Sequence, residues 1–230
     1  MVAQISGWVP ATPGFMPETD VEQRVVPLLT PPGTVLTPID LNRPLCGTRM
    51  KGFALLHLLD SMGASRSEPM VADWCATVPE AQRRLTERTA ITSVSWIPVE
   101  YYFHAVAFAA QKRFGEGPRH ALRIGHEMAS ADISAFFRFV LSMASPSTVL
   151  GLSGRFWKSY FDVSSLTVLS STPTSVVAEV KDWPLRDEVS LHEMAGSLVA
   201  WMEASRARDV KMSRFELVAP GHFLLHANWS

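Results

Sequence analysis

The sequence has 230 residues, of which 47% are hydrophobic and 19% are charged, and its formal net charge is −1. This composition supplies enough apolar material for a sizeable core and too little charge for a disordered chain. The near-neutral balance excludes the strongly basic surface typical of proteins that bind nucleic acid or anionic membranes, so we predict neither partner.

Cysteine usage and the first residues of the chain favour a cytoplasmic location. Cys46 and Cys75 are the only cysteines, whereas secreted scaffolds held by disulfides normally carry more, so we predict two free thiols. The first residues lack the basic and then apolar pattern of a secretory signal peptide. No apolar stretch reaches the roughly 20 residues that span a bilayer. We therefore expect a cytoplasmic protein without membrane insertion.

Residues 1–48 form a proline-rich segment that differs from the rest of the chain. Because proline removes a backbone donor and clashes inside a helix, this segment cannot form long helices. We predict an extended arm that wraps the domain or a partner, and the alternative is a partly disordered leader. If the arm docks a partner, its anchors are Trp8, Phe15 and Met16, since buried aromatic and large apolar side chains dominate binding energy.

Beyond Met50 the hydrophobic pattern becomes helical. It predicts helices over residues 53–59, 67–77, 79–88, 99–114 and 119–143, and shorter pieces at 148–150 and 155–160. The helix over 99–114 begins after Pro98 and is closed by Gly115.

The last third of the chain changes to a strand pattern. Two runs rich in Val, Leu, Thr and Ser, at 165–170 and 175–180, predict a hairpin, and a helix over 187–204 and strands at 210–218 and 223–229 follow. The predicted fold is therefore α+β: a helical N-terminal half packed on a C-terminal antiparallel sheet of order ββαββ. No linker after residue 50 is long enough to divide two domains, so we predict one domain over 49–230.

The usual catalytic signatures are missing from this sequence. There is no GxGxxG, no GxxxxGK[ST], no HExxH and no GxSxG. His120 and His126 lie on different faces of a helix, and His222 and His226 would stand about 13 Å apart along a strand. We therefore predict neither an enzyme nor a metal site.

An unusual density of aromatic residues marks the middle of the chain. One interpretation is a pocket for a flat or apolar ligand, and the other is ordinary packing of helices on a sheet. His104 lies in an apolar helix, where it could ligate haem iron or be a core histidine that is satisfied by a neighbouring polar group. The candidate ligand-binding residues are Trp96, Tyr101, Tyr102, His104, Phe136 and Trp157.

Several short motifs carry a resemblance to a known family. They are W-I-P-x-x-Y-Y at 96–102, G-E-G-P-R-x-A-L-R-x-G at 115–125, S-P-S-x-V-L at 145–150, F-W-K-S-Y-F-D at 156–162 and G-H-F-x-L-H-A-N-W at 221–229. Over residues ~50–230 the chain resembles a family of single-domain proteins abundant in myxobacteria. That family is distantly similar to the vinyl-reductase-type and haem-NO-binding superfamily, whose fold is shared with small subunits of vesicle-tethering complexes.

The resemblance implies a sensory or docking domain, often dimeric, and no reaction. The haem-binding branch carries a Y-x-S-x-R motif, and the vinyl-reductase-type branch often carries cysteines near its C-terminal strands. This sequence has neither, so we predict no cofactor.

Two functional hypotheses follow. The first is a non-catalytic protein-interaction module with a docking or regulatory role, for which a protein partner or a second copy of the chain is expected. The alternative is a small-molecule-sensing domain that holds a small apolar ligand in an aromatic-lined pocket.

Overall fold

A computed structural model describes residues 20–64, 68–86, 91–133, 146–205 and 207–230. Its α-helices are α1 (Asp20–Arg24), α2 (Gly52–Ala64), α3 (Glu68–Thr77), α4 (Val99–Phe114), α5 (Ala121–Asp132), α6 (Pro146–Tyr160) and α7 (Glu188–Glu203). Its strands are β1 (Arg49–Lys51), β2 (Trp96–Pro98), β3 (Ser165–Thr172), β4 (Ser175–Lys181), β5 (Lys211–Ala219) and β6 (His222–Asn228). Two 3₁₀ helices, Glu80–Thr86 and Pro118–His120, complete the order.

The C-terminal sheet confirms the predicted ββαββ order. Its four antiparallel strands lie in the order β3-β4-β6-β5, and α7 connects the two hairpins. Burial alternates along β6, where Phe223, Leu225 and Ala227 face the core, as the two-residue period of a strand requires. The helical half packs on that apolar face, so the predicted α+β class is confirmed.

The helices differ from the sequence prediction in three places. The helix predicted over 119–143 ends at Asp132, because Ile133 takes an extended backbone (φ −73°, ψ 92°), and residues 134–145 lie outside the described part. The two short pieces predicted at 148–150 and 155–160 form one helix, α6. The segment after Pro79 forms a 3₁₀ helix rather than an α-helix.

The structure also contains a short strand pair that the sequence does not predict. Strands β1 and β2 pair antiparallel, with Met50 opposite Ile97, and each leads directly into a helix of the helical half. Met50 also forms a bridge with Phe161, which follows α6. The pair therefore connects the starts of α2 and α4 to the end of α6.

The described part of the proline-rich segment, residues 20–48, contacts the domain itself. Val21, Val25 and Leu41 are buried in the main core. The chain runs parallel to β5, where the backbone NH groups of Val26 and Leu29 donate to carbonyl oxygens of β5 at 3.1 and 2.8 Å. Trp8, Phe15 and Met16 lie outside the described residues, so their role as partner anchors stays a prediction.

Helices α5 and α7 cross at a pair of glycines. A Cβ atom at Gly125 would overlap the backbone of Glu193, and a Cβ atom at Gly196 would overlap the backbone of Leu122. The Ser197 hydroxyl donates to the carbonyl oxygen of Gly125 at 3.1 Å. This close approach holds the Glu193 region of α7 directly against α5.

The start of α7 is fixed by a buried cap. The Asp187 carboxylate accepts hydrogen bonds from the backbone NH and the hydroxyl of Ser190, both at 2.7 Å. Such a cap stabilises a helix by about 1 kcal/mol. Burial raises the pKa of Asp187 to about 6 although these hydrogen bonds oppose the shift.

Cys46 and Cys75 are free thiols, as predicted. Within the described ranges, none of the helices has the length and apolar character needed to cross a membrane.

Candidate functional site: a small aromatic cavity lined by two carboxyl groups

A cavity of about 110 Å³ lies among helices α2, α4, α5, α6 and α7 and the start of β3. Most of its lining is aromatic or made of methionine and aliphatic side chains. The apolar lining residues that the structure describes are Met50, Ala54, Phe103, Met128, Ala129, Val149, Phe156, Trp157, Phe161, Leu166, Trp183, Met194, Leu198, Trp201 and Met202. Tyr102, Asp132, Tyr160, Glu193 and Ser197 add polar groups.

One wall of the cavity is a cluster of aromatic rings around Trp183. The ring centroids of Phe103, Trp157 and Phe161 lie 5.6, 5.8 and 5.1 Å from that of Trp183. The indole NH of Trp157 donates to the Ser164 hydroxyl at 2.8 Å, and that of Trp183 donates to Ser190 at 3.2 Å. Because both indole NH groups are satisfied by these serines, the two tryptophans contribute apolar surface to the cavity.

Glu193 is a buried carboxyl group in the lining of the cavity. Its Oε1 atom accepts from the Tyr102 hydroxyl at 2.8 Å and from the Ser197 hydroxyl at 3.2 Å. Burial raises the pKa of Glu193 to about 7, against the effect of these two hydrogen bonds. Burial also raises the pKa of Tyr102 well above its ordinary value, and the neighbouring Glu193 charge adds to this.

Asp132 is the second carboxylate of the cavity, and it has a surface partner. Its Oδ1 atom bonds to Nδ1 of His57, a half-exposed side chain, and the Tyr160 hydroxyl lies 3.4 Å from Oδ2. The hydrogen bond to Asp132 raises the pKa of His57, and burial raises the pKa of Tyr160. Asp132 therefore has a basic partner, whereas the partners of Glu193 are hydroxyl groups.

Two of the predicted ligand-binding residues, Tyr102 and Trp157, line this cavity. Tyr101 and His104 lie on another face of α4. The Tyr101 hydroxyl donates to Oε1 of Gln82 at 2.8 Å, and the indole NH of Trp74 donates to Nδ1 of His104 at 3.0 Å. Burial lowers the pKa of His104. His104 is thus a partly buried histidine whose Nδ1 atom accepts from a neighbouring side chain, the indole of Trp74.

Trp96 lies apart from the cavity, at the strand pair. It is 37% exposed, and the Lys51 ammonium lies 3.9 Å from the centre of its ring. Phe136 lies outside the described residues, so the structure says nothing of its proposed role.

A second depression, of about 220 Å³, lies between the segment at 37–46 and the chain that enters α7. Glu100 is buried beneath it and accepts from the backbone NH of Cys46, while its Oε2 atom has no hydrogen-bond partner among the described atoms. Burial and the neighbouring Glu100 raise the pKa of the Cys46 thiol to about 11. This cysteine therefore lacks the thiolate character that a reactive site needs.

The sequence analysis missed the two carboxylates of the cavity. In the sequence, nearness to the start of a helix is enough to explain Glu193, and nothing singles out Asp132. The one available signal is that Glu193 stands next to the apolar stripe of α7, directly before Met194 and Ala195. In the described part of the chain, no three His, Cys, Asp or Glu side chains converge to hold a metal ion.

Solved structures of H-NOX proteins share this fold. An Fe(II) unliganded H-NOX protein from K. algicida aligns with a TM-score of 0.58 at 12% identity, over 79% of this chain and 97% of that one. An H-NOX protein from S. oneidensis in the Fe(II)NO ligation state aligns with a TM-score of 0.58 at 13% identity, over 79% and 99%. An oxygen-binding H-NOX domain related to soluble guanylate cyclases aligns with a TM-score of 0.56 at 11% identity, over 79% of this chain and 95% of that one.

These comparisons define the class of the fold as H-NOX-like. No family model matches this sequence, and no curated protein matches it either. The likeness is therefore one of fold, at sequence identities of 11–14%.

The described residues of the cavity do not fit a haem group. Sites for cofactors and drug-sized ligands usually enclose about 300–1,000 Å³, whereas this cavity measures about 110 Å³. No histidine belongs to its described lining, and Nδ1 of His104 is engaged by Trp74 on another face of α4. The cavity suits a molecule much smaller than a porphyrin.

Proposed function

We propose that this chain is a small-molecule-sensing domain whose ligand occupies the cavity beside Trp157 and Glu193. The observation that carries the proposal is a mostly apolar cavity, inside an H-NOX-like fold, whose lining includes a buried carboxyl group. Sensing was the alternative in the sequence analysis, and the fold and cavity favour it over a docking module. The proposal includes no catalytic role for the chain.

The volume of the cavity limits the size of the ligand. An engineered apolar cavity of about 150 Å³ in another protein stays dry and binds benzene or xenon. At about 110 Å³ the cavity here is somewhat smaller. The ligand is therefore a molecule no larger than about a benzene ring.

The distribution of exposed apolar side chains gives less support to docking through the helical half. Large apolar side chains that are more than a third exposed in the described part are Leu29, Val35, Val94, Trp96, Leu152, Val163, Leu169 and Val218. Of these, Leu152 alone lies on an α-helix. A docking face would present several such side chains together.

The cavity also contacts the helix that joins the two halves of the sheet. Helix α7 contributes Glu193, Met194 and Ser197 to the cavity and joins the two hairpins of the sheet. A ligand that contacts α7 in one arrangement of these elements stabilises that arrangement, and such a differential affinity is the basis of a sensory response.

The test is binding of a small neutral probe to the wild type and to a variant with a filled cavity. Ala129 lines the cavity, so Ala129→Met places additional side-chain volume in it. We expect benzene to raise the melting temperature of the wild type and not that of A129M. His104→Gln, on the other face of α4, is the control and should keep the benzene effect. A wild type that is unaffected by benzene, or an A129M variant that responds as strongly, contradicts the proposal.

A further inference from the structure

We propose that the ligand of this cavity is a small organic cation, an ammonium or protonated amine, bound by the Glu193 carboxylate within a cage of aromatic side chains. The inference rests on the proposed function, because it names the chemical class of the molecule that the cavity holds.

The first argument is the charge of the cavity. Its described lining contains two carboxylates, Asp132 and Glu193, and no Lys, Arg or His side chain. Asp132 bonds to the half-exposed side chain of His57, so its charge already has a basic partner within this protein. Glu193 has no such partner among the described residues. A buried carboxylate is costly unless a cation accompanies it, and a bound ammonium would supply that cation.

The second argument is a free acceptor on Glu193. Both of its hydrogen bonds, from Tyr102 and from Ser197, reach the same oxygen, Oε1. No described residue donates to Oε2, although the side chain is buried and lines the cavity. An acceptor left open toward a cavity marks the position of a donor on the ligand, since buried polar groups otherwise find partners.

The third argument is the aromatic surroundings. Phe156, Trp157, Tyr160 and Trp201 line the same cavity as Glu193, and the rings of Phe156 and Trp201 stack with centroids 5.4 Å apart. Aromatic faces attract cations electrostatically, and cages of such rings recognise quaternary ammonium groups. Aromatic rings together with a carboxylate therefore match an organic cation better than a neutral hydrocarbon.

A neutral ligand would use the same groups in the opposite way. Glu193, with a pKa of about 7, would then keep its proton and donate it to an acceptor on the ligand. The groups that face Glu193 are Tyr102 from α4, Asp132 from α5, Tyr160 from α6 and Ser197 from its own helix, and His57 acts through Asp132. A cation binds the ionised form, so its affinity rises with pH, whereas the affinity of a neutral acceptor falls.

The experiment is a calorimetric titration of the full chain with tert-butylammonium, a cation with N–H donors, from about pH 5.5 to about pH 8. The neutral comparison is tert-butanol, which has the same number of non-hydrogen atoms and a similar shape. We expect tert-butylammonium to bind more tightly than tert-butanol, with an affinity that rises by up to about tenfold per pH unit below the pKa of Glu193. Benzene is titrated alongside, because its binding reports the cavity without charge.

Two variants distinguish the effect of the Glu193 charge on cation binding from a general effect of changing helix α7. Glu193→Gln keeps the size of the side chain and removes its charge, so tert-butylammonium should bind roughly tenfold more weakly or not at all. Glu188→Gln makes the same change in the first turn of α7, away from the cavity lining, and should leave binding unchanged.

Each failure has its own meaning. If benzene binds while tert-butylammonium does not, or if both variants bind the cation like the wild type, the cation inference is overturned and the sensing cavity stands. If none of the probes binds, the proposed function itself fails.

Discussion

Two faces of helix α4 carry the same kinds of side chain but have different roles. On one face Tyr101 and His104 meet Gln82 and Trp74, neutral side chains that satisfy them within the helical half. On the other face Tyr102 donates to Glu193 in the lining of a cavity. The comparison shows that adjacent tyrosines of one helix meet different partners, a neutral amide on one face and a carboxyl group beside a cavity on the other. The three predictions that follow test this difference.

The largest expected effect comes from separating α7 from α5. Gly125→Ala would drive a Cβ atom into the backbone of Glu193, where no flexible side chain can move away. We expect a loss of about 4 kcal/mol of unfolding free energy, or failure to fold, because the overlap is with backbone rather than with a side chain. Chemical denaturation measures it.

The matched control is a glycine in a helix with open space around it. Gly63 in α2 has no atom within 4 Å of the position that an added methyl group would take, so Gly63→Ala should leave stability equal or raise it by up to about 1 kcal/mol. If G125A is as stable as G63A, the crossing of α5 and α7 does not hold the Glu193 face together.

The second effect is the pH dependence that Glu193 gives to stability. Its pKa is about 7 in the folded protein, above the ordinary value of 4.5. The folded state therefore holds a proton that the unfolded state releases. The stabilisation is complete below about pH 4.5 and is lost as the pH rises through about 7. The wild type should lose about 3 kcal/mol relative to Glu193→Gln across this range.

Other buried groups also contribute to the pH dependence of stability, and comparison with the Glu193→Gln variant cancels their contributions. Asp187, with a pKa raised to about 6, has the same sign as Glu193. Burial lowers the pKa of His192 to about 4, so its contribution has the opposite sign and stability is lost as the pH falls from about 6.5. Subtracting the E193Q denaturation curve from that of the wild type at each pH cancels both. A difference that does not vary with pH would contradict the assignment.

The smallest effect compares the two adjacent tyrosines. Tyr102→Phe removes a donor from a buried carboxylate, so we expect a loss of about 1.5 kcal/mol and a further rise in the pKa of Glu193. Tyr101→Phe removes a bond to the neutral side chain of Gln82 and should cost about 0.5 kcal/mol with an unchanged pH profile. Thermal unfolding at several pH values distinguishes them. Identical profiles would show that the two faces of α4 are equivalent.

Much of the fold could be predicted because local signals and tertiary packing agree. Pro98 and Gly115 bound α4, and the change from helical to alternating apolar pattern marks the first hairpin. The end of α5 could not be predicted, because the apolar pattern continues past Asp132 with no proline or glycine to stop it. Strands of three residues, such as β1, are too short to show a period.

The residues of the cavity were harder to predict from the sequence than the fold was. Tyr101 and Tyr102 are neighbours that point about 100° apart on a helix, and nothing in the sequence says which direction meets a cavity. Asp187 and Glu193 are both acids near the start of α7, yet the first is a helix cap and the second lines the cavity. The glycine crossing that places Glu193 against α5 joins residues 71 positions apart, Gly125 and Gly196.

The segment that runs beside β5 covers an edge of the sheet. The backbone of Leu29 receives and donates hydrogen bonds along the outer side of β5, at Phe215 and Leu217. An outer strand with unused backbone groups is a template for pairing with another chain and hence for aggregation. Residues 25–29 therefore cover the edge of the sheet. A chain shortened past Leu29 would expose backbone donors and acceptors of β5, to which a strand of another molecule would add.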